Sequence, residues 1–204
     1  FRLPNMWVCF SVPNFDVQIS DPPVIKNGYV TFGSFNNLSK INNKVISLWS
    51  KILIAIPKSK IFLKTKELNN LYLKEKIISK FKENGINLNS IILEGGSPRS
   101  ELLNSYNKVD ISLDTFPYSG GVTSLEAIWM GVPVLTKKGF RFISHTTESI
   151  NHNLGMSDWI ANDENEYVKK AIKFSTDLEL LTEINKNLRR TALKSPLFNS
   201  TLFA

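Results

Sequence analysis

The chain contains one cysteine, Cys9, and two histidines, His145 and His152, among 204 residues. A single thiol excludes an internal disulfide framework and a thiolate metal cluster; it fits a reducing compartment, so a cytoplasmic setting is expected. The two histidines lie seven positions apart on a stretch that reads as helix. That is two helical turns, ~10 Å, too far for one ion to bridge. Asp-x-Asp is absent and no His, Cys, Asp or Glu cluster shows ligand spacing, so no metal is expected. Neither G-x-G-x-x-G nor G-K-[ST] occurs, which argues against a dinucleotide fingerprint and a P-loop. Apolar runs such as residues 52–57 fall far short of the ~20 residues a bilayer span requires, and no basic-then-apolar leader opens the chain. No membrane partner is expected. The net charge of +7 would suit a polyanion, but the lysines are scattered through helix-like segments and form no block. Nucleic acid is therefore not an expected partner either.

What is present reads as an ordinary globular chain, long enough to bury one sizeable core. It starts at Phe1 and stops at Ala204 shortly after Ser195-Pro196, which gives the expectation of a fragment cut from a longer polypeptide. Residues 1–28 carry Pro4, Pro13, Pro22 and Pro23 and read as an interdomain connector with room for one short strand. Residues 29–204 read as one domain in which β-rich runs alternate with helix-period segments. Strands are predicted at 29–35, 60–64, 90–94, 109–114, 132–136 and 159–161. Helical spacing joins Val45, Leu48, Trp49, Ile52, Leu53 and Ile56, and again Leu73, Ile77 and Phe81; residues 164–174 and 178–193 read as closing helices. This alternation predicts an α/β, Rossmann-like parallel sheet of about six strands with helices on both faces. Asparagine is frequent throughout, which reads as a compositional bias of the genome with no mechanism attached.

Ligands in such sheets bind beyond the carboxyl ends of the strands, so the strand-to-helix turns carry the chemistry. The most informative one lies within Ile111-Ser-Leu-Asp-Thr-Phe-Pro-Tyr-Ser-Gly-Gly-Val-Thr-Ser-Leu-Glu-Ala-Ile-Trp-Met-Gly-Val-Pro-Val-Leu135, a complete strand-turn-helix-strand unit. Gly120 and Gly121 would let a ligand approach the backbone, and the amides of Val122, Thr123 and Ser124 would face an anion from the helix N-terminus. The Thr123 and Ser124 hydroxyls are further candidate phosphate contacts, and Glu126, one turn on, is a candidate acceptor for a ribose diol. The same residues also suit a tight turn with a plain helix cap, and that reading stays open.

Two other turns share this position in the pattern. Phe32-Gly-Ser-Phe-Asn-Asn-Leu-Ser-Lys40 offers Lys40 for a charge-assisted contact to a diphosphate and Asn37 as an amide donor to the same oxygens. Glu94-Gly-Gly-Ser-Pro-Arg-Ser-Glu101 offers space for a base at Gly95 and Gly96, backbone groups at Ser97 and a cation at Arg99. Without a metal, a bound diphosphate would depend on Lys40, Arg99 and a helix dipole to offset its charge.

Four ordered stretches carry a resemblance: Gly28-Tyr-Val-Thr-Phe-Gly-Ser-Phe-Asn-Asn-Leu-Ser-Lys-Ile41, Leu113-Asp-Thr-Phe-Pro-Tyr-Ser-Gly-Gly, Trp129-Met-Gly-Val-Pro-Val and Ser195-Pro-Leu-Phe-Asn199. Through them nearly the whole chain resembles the C-terminal catalytic region of the O-GlcNAc transferase and SPINDLY-like glycosyltransferases of family 41. The opening Phe1-Arg-Leu-Pro4 looks like that family's lead-in. The resemblance implies the C-terminal half of an inverting, metal-independent GT-B enzyme that moves GlcNAc from UDP-GlcNAc to Ser or Thr of an acceptor protein. It also implies tetratricopeptide repeats and the other GT-B half upstream. By the same resemblance Lys40 and the helix start at Val122 and Thr123 meet the donor diphosphate, with Lys40 stabilising the leaving group. Asn37 matches a donor-contacting glutamine, Glu126 a ribose-binding aspartate, and Ser97 and Arg99 the segment beside the base. Two positions depart: Val122 and Leu102 stand where the family often carries Thr and a base-stacking His. The same fold using GDP-fucose or another donor or acceptor, and a non-catalytic nucleotide-binding scaffold, remain the alternatives.

Overall fold

Each of the six β-rich runs becomes a strand of one parallel sheet: β1 Thr31–Ser34, β2 Lys60–Lys64, β3 Ile91–Glu94, β4 Ile111–Leu113, β5 Val134–Lys137 and β6 Ile160–Ala161. The structure is a computed structural model describing residues 6–203; Pro4 and the Phe1-Arg-Leu-Pro4 lead-in lie outside the described residues. Strand order is β3-β2-β1-β4-β5-β6. The order reverses between β1 and β4, and in a doubly wound sheet that reversal opens a crevice at the carboxyl edge.

The connecting helices are α1 Pro23–Asn27, α2 Asn43–Ala55, α3 Leu71–Glu83, α4 Arg99–Ser105, α5 Val122–Trp129, α6 Thr146–Asn153, α7 Glu164–Thr176, α8 Leu178–Leu193 and α9 Ser200–Phe203. Side chains alternate across a strand, so each face of the sheet has its own apolar layer. Ile61, Leu63 and Leu135 join Trp49, Ile77, Phe81 and Phe174 on one side, whereas Phe62 and Val134 join Leu103, Leu125, Ile128 and Ile150 on the other. No described helix is long and apolar enough to cross a membrane.

Two expectations change. The asparagines have a mechanism after all: Asn42 and Asn70 cap α2 and α3 by accepting from the amides of Val45 and Leu73, and Asn37 and Asn87 cap short 3-10 turns. A short amide side chain satisfies the orphan donors of a helix start, which explains part of the asparagine excess as architecture. The proline-rich lead-in forms no strand among its described residues; Pro22 and Pro23 open α1 instead. Its apolar residues Met6, Phe10 and Val17 are buried in the second apolar layer, and the Phe10 amide donates to the Leu197 carbonyl at 2.8 Å. Proline supplies no amide for a ladder but suits the first turn of a helix.

Asp110 ties α1 to the sheet, its carboxylate accepting from the amides of Val24 at 2.9 Å and Thr31 at 2.8 Å. Burial pushes its pKa up to about 6, against the pull of these two hydrogen bonds. The folded state therefore holds the proton more tightly than the unfolded chain, where Asp titrates near its ordinary value. The ionised carboxylate's cost is absent at about pH 4 and complete above about pH 6. Urea unfolding of wild type and Asp110→Asn at steps from pH 4 to 7 should show wild type losing about 2–3 kcal/mol relative to the variant over that range. A stability difference that does not move with pH would contradict this assignment.

Candidate functional site

The three turns singled out in the sequence lie at the carboxyl ends of β1, β3 and β4. Side-chain contacts join them. Lys40 ends the 3-10 turn after β1, and its Nζ donates to the Ser119 carbonyl at 2.9 Å, lying 3.9 Å from the centre of the Tyr118 ring. Arg99 begins α4, and its guanidinium pairs with the Glu126 carboxylate on α5. Lys40 thus reaches the β4–α5 turn itself, whereas Arg99 reaches α5 one helical turn further on.

The turn is held from below by a carboxylate that sequence reasoning did not single out. Asp114 is 1% exposed. It accepts from the Gly120 amide at 2.6 Å, the Thr136 hydroxyl at 2.7 Å and the Thr115 amide at 2.9 Å. Its own carbonyl accepts from the Tyr167 hydroxyl at 3.0 Å, and that hydroxyl accepts from Trp49 Nε1 at 3.3 Å. Burial raises the Asp114 pKa, while hydrogen bonds from Thr136, Gly120 and Thr115 oppose the rise. Burial likewise lowers the Lys40 pKa below that of an ordinary lysine, and the attraction of Asp114 works against it. An acidic residue directly after the last apolar residue of β4, Leu113, was the available signal, since a buried carboxylate is tolerated only where it is hydrogen-bonded on several sides.

At the start of α5, the Gly121 carbonyl accepts from the amides of Ser124 and Leu125, both at 3.1 Å. The Ser124 amide is thereby used within the helix, whereas those of Val122 and Thr123 have no partner inside it. Gly121 faces room: an added Cβ would meet only Thr146, at 3.8 Å. The Thr123 hydroxyl bonds to the Asn36 side chain at 3.1 Å, and Val122 is exposed. Ser124 differs from its expected role. It is buried, and its hydroxyl pairs with Thr147 of α6 at 2.9 Å, which turns it away from a ligand.

Other expectations meet similar refinements. Asn37 accepts from the Ser39 amide at 2.9 Å, which leaves its NH2 as the donor end. Glu126 is buried, bound to Arg99 and 3.4 Å from the Tyr106 hydroxyl, so its carboxylate already has partners. Burial raises its pKa, and Arg99 is the main opposing influence. Gly95 and Gly96 do not open space for a base: a Cβ on Gly95 would collide with the Asn69 side chain, and one on Gly96 would lie 3.0 Å from Lys66 Cβ. They are glycines because the turn after β2 passes close by. Ser97 Oγ is buried without a hydrogen-bond partner among the described residues, and Leu102 is half-buried against the second apolar layer. The two histidines share a carboxylate, with Glu148 Oε2 2.6 Å from His145 Nδ1 and Oε1 4.0 Å from His152 Nε2.

A cation and free helix-start amides gathered at one glycine turn make a place for a phosphate group, and comparison with known proteins gives this turn a context. Residues 23–204 match the profile of Glycosyl transferase family 41. The chain belongs to that family. Among its relatives, the probable UDP-N-acetylglucosamine–peptide N-acetylglucosaminyltransferase SPINDLY of Hordeum vulgare is 35% identical over 203 residues, 99% of this chain and 22% of that protein. The protein of the same description from Oryza sativa subsp. japonica is 36% identical over 203 residues with the same two coverages, 99% and 22%. A solved mutant of the Thermobaculum terrenum O-GlcNAc transferase superposes with a TM-score of 0.89 at 32% identity, covering 95% of this chain and 36% of that one. The family-41 chain thus spans about a fifth of the length of the plant relatives it matches. Its neighbours among solved structures are GT-B glycosyltransferases.

The Arg99–Glu126 pair gives this family-41 site a testable electrostatic signature. Removing Arg99 leaves a buried carboxylate uncompensated, and the half-exposed position of Arg99 moderates the loss to about 1–2 kcal/mol. The cost applies only while Glu126 is ionised. Arg99→Ala should therefore lower the melting temperature more at pH 8 than at pH 5, and adding Glu126→Gln should recover most of the loss. Equal losses at both pH values would refute the pairing.

Proposed function

We propose that this chain is the donor-binding part of an inverting protein O-glycosyltransferase that transfers GlcNAc from UDP-GlcNAc to Ser or Thr hydroxyls of an acceptor protein. The observation that carries the reading is the hydrogen bond from Lys40 Nζ to the Ser119 carbonyl, which puts a cation beside the free amides of Val122 and Thr123. A diphosphate seated there meets an ammonium, two N–H donors and the positive end of α5. The chemistry needs this arrangement at the leaving group. As the acceptor oxygen attacks the anomeric carbon, the bond from that carbon to the β-phosphate oxygen breaks and negative charge gathers on the diphosphate. Preformed donors that receive this charge lower the barrier without any metal, because they need no reorganisation during the step. Lys40 is the residue assigned to it.

The supporting context is family membership together with the description of the plant relatives as UDP-N-acetylglucosamine–peptide N-acetylglucosaminyltransferases. The relatives are several times longer than this chain. We take the acceptor-facing GT-B half and tetratricopeptide repeats to be supplied by the remainder of a longer polypeptide, working in the cytoplasm. Glu126 reads the ribose diol in this scheme only if Arg99 shares it with the sugar, and Ser97, Arg99 and Leu102 border the base.

Replacing Lys40 by Ala in the intact enzyme should weaken UDP binding on the order of tenfold to a hundredfold, the range for losing a charge-assisted hydrogen bond at a half-buried site. Isothermal titration against UDP and GDP, with transfer assayed from UDP-GlcNAc and GDP-fucose, tests both residue and donor. Because burial lowers the Lys40 pKa, wild-type UDP affinity should also fall off at an alkaline limit below that of an ordinary lysine. Unchanged UDP affinity in Lys40→Ala, or preference for GDP-fucose, would overturn the corresponding part of the proposal.

A further inference from the structure

The backbone of the β4–α5 turn is pinned at three successive peptide units. The unit between Ser119 and Gly120 has its oxygen bound by Lys40 Nζ at 2.9 Å and its N–H bound by Asp114 Oδ1 at 2.6 Å. The next unit has the Gly120 carbonyl bound by the Thr147 hydroxyl at 3.2 Å. The third has the Gly121 carbonyl bound by the amides of Ser124 and Leu125, so the Val122 N–H on its other side points out of the helix. Glycines have the widest choice of backbone conformations, and two in succession would leave the direction of these peptide planes unset. Here side chains from outside the turn set it. Thr147 is wholly buried at the first turn of α6 and is pinned in turn by Ser124 Oγ at 2.9 Å; Asp114 is steadied by Thr136 of β5 at 2.7 Å.

We propose that Asp114 and Thr147 are positioning residues for donor binding: they fix the peptide units on either side of Gly120, which sets the seat of Lys40 and the aim of the first α5 amides. Neither touches the anion in this scheme. Rotation of the Ser119–Gly120 unit would move the oxygen away from Lys40 and bring the N–H off Asp114 in the same motion, so the ammonium and the carboxylate are coupled through one peptide plane. Asp114 also attracts the Lys40 charge directly, which opposes the lowering of the Lys40 pKa by burial. The inference rests on the reading that this turn holds the donor's diphosphate.

The test uses the intact enzyme and UDP as the probe. Thr147→Val keeps the shape and removes the hydroxyl, whereas Thr147→Ser keeps the hydroxyl and removes a methyl group. Thr147→Val should raise the Kd for UDP and the KM for the donor by about five- to tenfold, the equivalent of one hydrogen bond. Thr147→Ser should restore most of the affinity although it, too, loses packing. Asp114→Asn should weaken UDP binding further, shift the alkaline limit of binding downward, and add little in a Lys40→Ala background. Should Asp114→Asn fail to fold, the Thr147 pair decides alone. If Thr147→Val and Thr147→Ser bind UDP as wild type does while Lys40→Ala does not, or if both lower the melting temperature equally with unchanged affinity, the positioning role is wrong. Absence of UDP binding by wild type would instead remove the donor reading and this inference with it.

Discussion

A carboxylate without water has to be hydrogen-bonded from within the protein, and at Asp114 that requirement organises the crevice edge of the sheet. Burying an ion costs several kcal/mol unless donors surround it. The donors that meet the cost are the Gly120 amide, the Thr136 hydroxyl and the Thr115 amide, one from the turn, one from the neighbouring strand and one from the chain next to Asp114. The turn therefore cannot take its conformation independently of β5. Through the Asp114 carbonyl the arrangement extends to Tyr167 on α7 and Trp49 on α2, so the helix layer that α2 and α7 share is tied to the loop geometry.

Electrostatics follow from the same burial. Lys40 is the cation beside the turn, and its proton affinity is reduced by desolvation and supported by Asp114. A weakly solvated ammonium fixed against a carbonyl is a stronger partner for an incoming anion than a mobile surface lysine, since little solvent must be displaced when charge arrives. Arg99 stands differently: its charge is committed to buried Glu126, which leaves Lys40 as the cation available to the diphosphate proposed for this turn.

The sheet was legible in the sequence because short β-rich runs alternate with segments whose apolar residues recur at helical spacing. All six strands fall inside the predicted runs except for Lys137, one residue past the fifth. The positions of the three turns were legible too, because a parallel sheet puts every such turn on one edge. Long-range partners were not. Nothing local tells Gly95 that Asn69 will lie against it, tells Ser124 that Thr147 will bury its hydroxyl, or tells Glu126 that Arg99 will neutralise it; those contacts join residues far apart in the chain. Asparagine was misread for a related reason, since a cap is recognisable only when the helix boundary beside it is known. Asp114 directly follows Leu113 at the end of β4, and an acid at that place against the sheet is a local sign of a carboxylate hydrogen-bonded from within the protein.

The central claim is that Lys40 and the start of α5 form one seat for a nucleotide diphosphate. A crystal structure of the intact enzyme with UDP tests it most directly. The account predicts phosphate oxygens within hydrogen-bond distance of Lys40 Nζ and the amides of Val122 and Thr123, with the Gly120 amide still on Asp114. A diphosphate bound away from this turn, or one that captures the Gly120 amide from Asp114, would contradict it.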